Sequence, residues 1–267
     1  MQVCMKVSPP QCTLSGNGMS VNVDIPDRNE LLDNGRSRGV GSTPFEEESD
    51  QVNSVASDVK VVPETPKDNA FGSPSILQPR QMSALMASGG LPLSLGFCRW
   101  KRCYSLSRDG DSFEQFLRLV AGQERTVLAI RTTRGDVFGG YAAAPWEARH
   151  SHRYASEFYG SAQACLFRCR PVVDRGDQGG ARQEEEDGGV VMYPWSGANR
   201  YIQLCDATRR MLAFGGGGVE GDFGLCVEDD FRRGTTGHCS TFENEALCKE
   251  GYFDILDLEV WGFVLDV

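Results

Sequence analysis

Apolar and polar positions divide the chain near residue 72. Over residues 1–72, Ser, Pro, Gly, Asn and acidic residues predominate, and no period of 2 or 3.6 is sustained. Such a stretch buries too little apolar surface to offset the entropy of ordering it, so a disordered tail is expected there. From Ser73 the pattern changes. Ile76, Leu77, Met82, Leu85 and Met86 fall at roughly helical spacing, with Pro79 suited to a first turn. Residues 99–106 read as a strand. Ser112, with Gln115 at the capping-box offset, opens a helix that carries Phe113, Phe116, Leu117 and Val120 on one face and closes at Gly122.

The clearest hairpin signal is 126–132, a turn at Arg134-Gly135, and 136–142, with β-branched and apolar residues on both sides. Residues 174–189 are low in complexity, with Gly179-Gly180 and an acidic run from Glu184 to Asp187, and read as a long solvated loop between two strands. Further strands are expected at 190–193, 201–205, 211–214, 224–227 and 253–264. In the last, Leu256, Leu258 and Val260 share one face and Asp257, Glu259 and Trp261 the other, the mark of a half-buried strand. Many short strands with few, early helices predict an α+β fold with an antiparallel core and helices packed around it, in place of a parallel Rossmann sheet.

Composition narrows the class. The chain has 267 residues, is 40% hydrophobic and carries a formal net charge of -10, which opposes affinity for nucleic acid. No apolar run approaches the roughly 18 residues of a membrane span, and the first residues lack a secretory signal, so a cytosolic protein is expected. Ten cysteines in such a chain read as reduced thiols. No C-x-x-C occurs and only His150, His152 and His238 could complete a tetrahedral site, so neither a structural zinc nor any cofactor is expected. Thr43-Pro44, Thr65-Pro66 and Ser73-Pro74 are either phosphorylation sites or the ordinary dipeptides of a Ser/Pro-rich segment.

Three constellations invite chemistry. Gly215, Gly216, Gly217 and Gly218 follow a strand as a phosphate loop would, yet the lysine and hydroxyl of a P-loop are missing and no helical pattern follows. They are expected to form a tight turn or a flat surface that contacts a partner. His238 and Cys239 are adjacent, so in extended backbone they face opposite ways and cannot act as a catalytic pair; Cys239 is expected to be a buried structural thiol. Among the carboxylates, Glu228, Asp229 and Asp230 cluster and Glu243 and Glu245 are dispersed, most of them expected to be solvated. Glu259 differs, because inside an apolar strand it needs a hydrogen-bonding partner if buried.

Several of these segments together resemble one family. Trp100, Tyr104, Ser105, Gly110 and Ser112; Val137, Phe138 and Gly139 with Pro145 and Trp146; Tyr159 and Gly160 followed by Leu166 and Phe167 appear in order. They are followed by the run Trp195 to Tyr201 with Asn199, then Gly215 to Gly218, then Cys239, Thr241 and Phe242, and finally Glu259, Val260, Trp261 and Gly262. The series is similar to that of TLDc domains and extends over residues 73–267. Lys101, Arg102 and Cys103 depart from it, standing where apolar residues are more usual.

The resemblance implies a β-sandwich of two antiparallel sheets flanked by a few helices. It implies protection against oxidative stress and binding to a subunit of the V-ATPase proton pump, with no established active site. No LysM, TBC or EF-hand segment precedes the domain, so a short member with only this domain is expected. It should be a monomer, cytoplasmic and peripheral at acidic-organelle membranes through its protein partner. Two other functions are weighed beside this one: an enzyme or peroxide scavenger using Cys239, Cys226 or Glu259, and a scaffold regulated through its tail.

Overall fold

A computed structural model describes residues 59–64, 74–148, 157–170, 189–218 and 222–265. The remainder of the expected tail, and the acidic run of the 174–189 loop, lie outside the described residues. Three helices and ten strands follow in chain order: α1 Pro79–Ala87, β1 Cys98–Ser105, α2 Leu106–Asp109, α3 Phe113–Val120, β2 Thr126–Thr132, β3 Val137–Ala142, β4 Cys165–Cys169, β5 Val190–Pro194, β6 Gln203–Asp206, β7 Met211–Phe214, β8 Leu225–Glu228, β9 Arg233–Thr235 and β10 Tyr252–Leu265.

Every pairing among these ten strands is antiparallel, and one strand joins both halves of the sandwich. At its start β10 pairs with β9, Tyr252 opposite Thr235 and Asp254 opposite Arg233. It then bulges between Ile255 and Asp257 and runs between β2 and β1, with Val260 opposite both Leu128 and Tyr104. One sheet is therefore β5-β4-β3-β2-β10-β1 and the other β6-β7-β8-β9-β10. The bulge resets which side chains point where. Before it Phe253 and Ile255 are buried and Tyr252, Asp254 and Leu256 exposed; after it residues 258–262 are buried on both faces. The half-buried alternation expected across this strand holds only for its first half. Leu256 is 60% exposed and shares no core face with Leu258 and Val260, because the extra residue at the bulge changes the phase.

The two faces of the first sheet feed separate cores. On β2, Leu128 and Ile130 point into the space between the sheets, where they meet Phe214, Leu225 and Val227 of the second sheet. Val127 and Ala129 point the other way, against Ile76, Leu85, Trp100, Tyr141, Phe167 and Trp261 under α1. Alternation along a strand covered on both faces thus yields two apolar layers. Gly139 belongs to the tight part of this sheet: a Cβ there would lie 1.9 Å from the Leu128 carbonyl oxygen, so only glycine fits without moving β2.

The helices form as their caps require. In α1, Pro79 occupies the first turn and the Gln78 amide donates to Gln81 Oε1 at 2.9 Å. In α3, Ser112 Oγ accepts from the Gln115 amide at 3.2 Å. Phe113, Phe116 and Val120 bury the face expected for them, with Leu117 at its half-buried edge. Phe231 completes that face, stacked on Phe113 at 5.6 Å and 5.1 Å from Phe116. It reaches there because Asp229, Asp230 and Phe231 all take positive φ, of 55°, 52° and 65°. This left-handed turn and the three-residue strand β9 that follows it carry no signal in the sequence, since none of the three turn residues is glycine.

Residues 59–64, inside the span expected to be a tail, run parallel to β1. The Trp100 amide donates to the Lys60 carbonyl and the Val62 amide to the Trp100 carbonyl, each at 2.8 Å.

Candidate functional site

Three of the motif segments, distant in sequence, meet in one hydrogen-bonded seam. Trp195 Nε1 donates to the Asn199 carbonyl at 2.7 Å, closing the loop that aims the Asn199 side chain. Asn199 Nδ2 donates to Ser240 Oγ at 2.8 Å, while Asn199 Oδ1 accepts from Thr241 Oγ1 at 2.7 Å and from the Tyr201 amide at 3.0 Å. Thr241 Oγ1 in turn accepts from the Gly216 amide at 3.0 Å. Ser196 ties the same strip at the backbone, its amide donating to Thr241 O at 2.9 Å and its hydroxyl to Ser240 O at 2.6 Å. Every polar atom of the Asn199 and Thr241 side chains is spent inside the chain, which suits a structural clasp.

The glycine run is one jaw of that clasp. Gly215, at φ 75°, would place a Cβ 2.5 Å from Cys239 Sγ and 3.0 Å from the Phe242 ring. Gly215 and Gly216 are buried, Gly218 half-buried and Gly217 exposed. Tight backbone geometry is therefore present, whereas a flat contact surface made of all four glycines is not: Gly215 packs against Cys239 and Phe242, and Gly216 against Tyr201 and Phe158.

Cys239 has no exposed surface; its thiol donates to Asn244 Oδ1 at 3.0 Å. Burial pushes its pKa up, opposed by the backbone amides of Phe242, Thr241 and Gly216. His238 Nδ1 sits 3.0 Å from the Asn244 carbonyl and makes no catalytic pair with the thiol. Cys226, the other candidate thiol, is also buried. Both are poor nucleophiles, since reactivity requires an accessible thiolate.

Glu259 is fully buried and has the partners its position demands. Oε1 accepts from Arg102 Nη1 at 2.6 Å, and Oε2 accepts from the Ile76 amide and Trp261 Nε1, each at 3.0 Å; Ser75 Oγ, 3.4 Å away, donates its hydrogen to the Leu77 carbonyl at 2.8 Å. Burial raises its pKa, against the lowering pull of these partners. Arg102, an apparent oddity beside Tyr104, is the cation this carboxylate needs. Its other face is held by both oxygens of Glu64 from the 59–64 segment, and Arg108 Nη1 joins at 3.1 Å. Burial lowers the pKa of Arg102, but the two carboxylates outweigh it and the guanidinium is held more strongly charged. It also lies 5.9 Å from the centre of the Trp261 ring.

The remaining motif residues are framework. Tyr104 donates to the Gly110 carbonyl at 2.6 Å, the Ser105 amide to Asp109 Oδ2 at 2.9 Å, and Trp146 Nε1 to Thr126 Oγ1 at 3.1 Å. Tyr159 bridges to Gln203 through its backbone, and Gly160, at φ 114°, follows it against Ile202. Phe138 packs on Phe253, Phe167 lies in the core under α1, and Trp100 meets Trp261 edge-on at 6.4 Å. Gly262 continues β10 opposite Lys101 and Thr126. Glu228, Asp229 and Asp230 do not converge on a cleft; Asp230 pairs with Arg210 at 2.7 Å and Asp229 with Arg233 at 3.0 Å. Among the described residues no His, Cys, Asp and Glu side chains gather in a metal-holding group, and no helix is long and apolar enough to cross a membrane.

One concavity stands apart from these motifs. A cleft of about 790 Å³ opens between the start of α1, the β2–β3 hairpin, the end of β4 and the loop at 245–249. No motif pointed to it, because its residues come from four separate segments with no shared spacing.

The family model for the TLDc domain matches residues 71–264. The chain is 31% identical over 174 residues to nuclear receptor coactivator 7 of Gallus gallus, covering 65% of this chain and 16% of that protein. It is 28% identical over 202 residues to oxidation resistance protein 1 of Rattus norvegicus, covering 75% and 21%. It is 29% identical over 174 residues to oxidation resistance protein 1 of Kluyveromyces lactis, covering 62% and 66%. The match thus spans about a fifth or less of the two animal relatives.

Proposed function

Because this chain belongs to the TLDc domain family, we propose that it takes part in protection against oxidative stress as a non-enzymatic interaction module that engages a subunit of the V-ATPase. Similarity to two proteins named for oxidation resistance supports the first part. The pump is what the family resemblance implies.

One observation carries the non-enzymatic reading: the family's polar motif residues are consumed by the fold. Glu259, the carboxylate best placed for acid–base work, has no exposed surface and three donors on it, Arg102, the Ile76 amide and Trp261. Asn199 and Thr241 hold each other and the glycine strand, and Cys239 is sealed beneath them. A general acid or nucleophile must reach its substrate, and none of these does. The same enclosure weighs against peroxide scavenging by Cys239 or Cys226.

Affinity capture with the full chain from lysate, with and without ATP, tests the proposal. Recovery of V-ATPase subunits is expected. Their absence under both conditions overturns the pump assignment, and turnover of peroxide by the purified protein overturns the non-enzymatic one.

A further inference from the structure

Resting on that interaction-module reading, we propose that the partner is gripped by the cleft beside α1 and presents to it an extended segment in which acidic side chains alternate with apolar ones. In a chain of net charge -10, this cleft reverses the sign: Arg131, Arg134, Arg168, Arg170 and Lys249 line it against only Asp136 and Glu245. Local sign reversal on an acidic protein steers a partner of complementary charge.

The cations are free to exchange partners. Arg134 pairs with Glu250, yet its side chain is 61% exposed; Arg168 lies 3.8 Å from Glu245, whose side chain is 79% exposed. Such pairs are screened by water and worth little net, so an incoming carboxylate replaces them at small cost. Arg131 spends its guanidinium on the neutral carbonyls of Ser75 and Ile76, at 3.2 and 3.0 Å. Arg170 and Lys249 are exposed, and neither makes a salt bridge among the described residues.

The spread of charge selects a peptide over a compact polyphosphate. A phosphate cradle gathers cations and backbone amides at one point. Here the cations stand on three walls, separated by the half-buried apolar residues Val137 and Ala246, and the interleaved Asp136 and Glu245 would repel dense negative charge. Carboxylates spaced along an apolar strip avoid the two acids and set their apolar neighbours against Val137 and Ala246. The glycine run, half of which is buried, offers no comparable surface.

Fluorescence anisotropy with the full chain and a labelled synthetic peptide alternating Glu and Leu tests the proposal. Saturable binding that falls steeply with added salt is expected, and the double variant Arg134→Glu with Lys249→Glu should weaken it by roughly tenfold or more. Both residues are exposed, so an unchanged thermal melt certifies the fold. Arg200→Glu, an exposed reversal outside the cleft, should leave binding as it was. Unchanged affinity in the double variant overturns the proposal, as does tighter binding of inositol hexakisphosphate at the same residues. In lysate capture, loss of pump subunits from the double variant alone supports the cleft. Equal recovery by both proteins removes the cleft and leaves the functional reading intact; no recovery by the unmodified chain removes the functional reading, and the anisotropy then judges the cleft.

Discussion

Arg102 donates to Glu259 across a 2.6 Å contact between two side chains that solvent scarcely reaches, 4% and 0% exposed. Removing one member of a buried pair leaves the other charged and uncompensated, which costs about 3–5 kcal/mol. Glu259→Gln is expected to destabilise by about that much in urea denaturation, and Glu64→Gln by less, because Glu64 is 18% exposed and water can replace it. Arg102→Met combined with Glu259→Leu should recover part of the loss. Equal costs for the two single variants would show that burial does not set the energetics here.

Glu64 also anchors the 59–64 segment to β1. Two backbone hydrogen bonds and the packing of Val59 against the core under α1 hold the segment beside it, and the ion pair is its charged tie. Glu64→Ala should speed hydrogen exchange at the Trp100 amide, which donates to Lys60, while amides in β2 such as Leu128 keep their protection. Uniform acceleration across both strands would mean that the substitution loosens the whole sheet.

Gly215 and Gly197 both take positive φ, 75° and 86°, but differ in what a side chain would meet. At Gly197 nothing lies within 4 Å; at Gly215 the Cys239 thiol is 2.5 Å away. Gly197→Ala should cost about 1–2 kcal/mol from left-handed backbone alone. Gly215→Ala adds overpacking worth about 1–3 kcal/mol more. Thermal melts of the two variants check the order; if they melt together, the clasp is pliable.

These relationships were unevenly legible in the sequence. The 126–142 hairpin was plain because β-branched and apolar residues flank a local turn that holds a glycine. Glu259 could be singled out because a carboxylate in an apolar strand needs a partner wherever that partner lies. The partner itself was hidden: Arg102 is 157 residues away and Glu64 belongs to a stretch with the composition of a tail. Phe231 was hidden for another reason, since a left-handed turn built from Asp, Asp and Phe is imposed by packing against Phe113 and Phe116 and not by local preference. The glycine run was legible as strained backbone, but its burial depends on Thr241 and Phe242 folding over it.

The buried thiols set an alkaline limit to stability. Burial pushes Cys165, Cys169 and Cys205 from 9.0 up to about 12. A thiol whose folded pKa lies above its unfolded value contributes fully below the unfolded pKa, and the contribution is lost as pH climbs towards the folded one. Between pH 9 and 12 the unfolded chain ionises these groups while the folded chain keeps them neutral. Each group then removes about 1.4 kcal/mol per pH unit, so three together steepen the fall severalfold. Urea midpoints measured from pH 7 to 11 should be flat at first and decline beyond pH 9. Replacing Cys205, which lies between the sheets, with Ala lowers the midpoint near neutral pH by leaving a cavity, yet shallows the alkaline slope by one proton. An unaltered slope in that variant would show that Cys205 ionises as readily in the folded protein as in the unfolded chain.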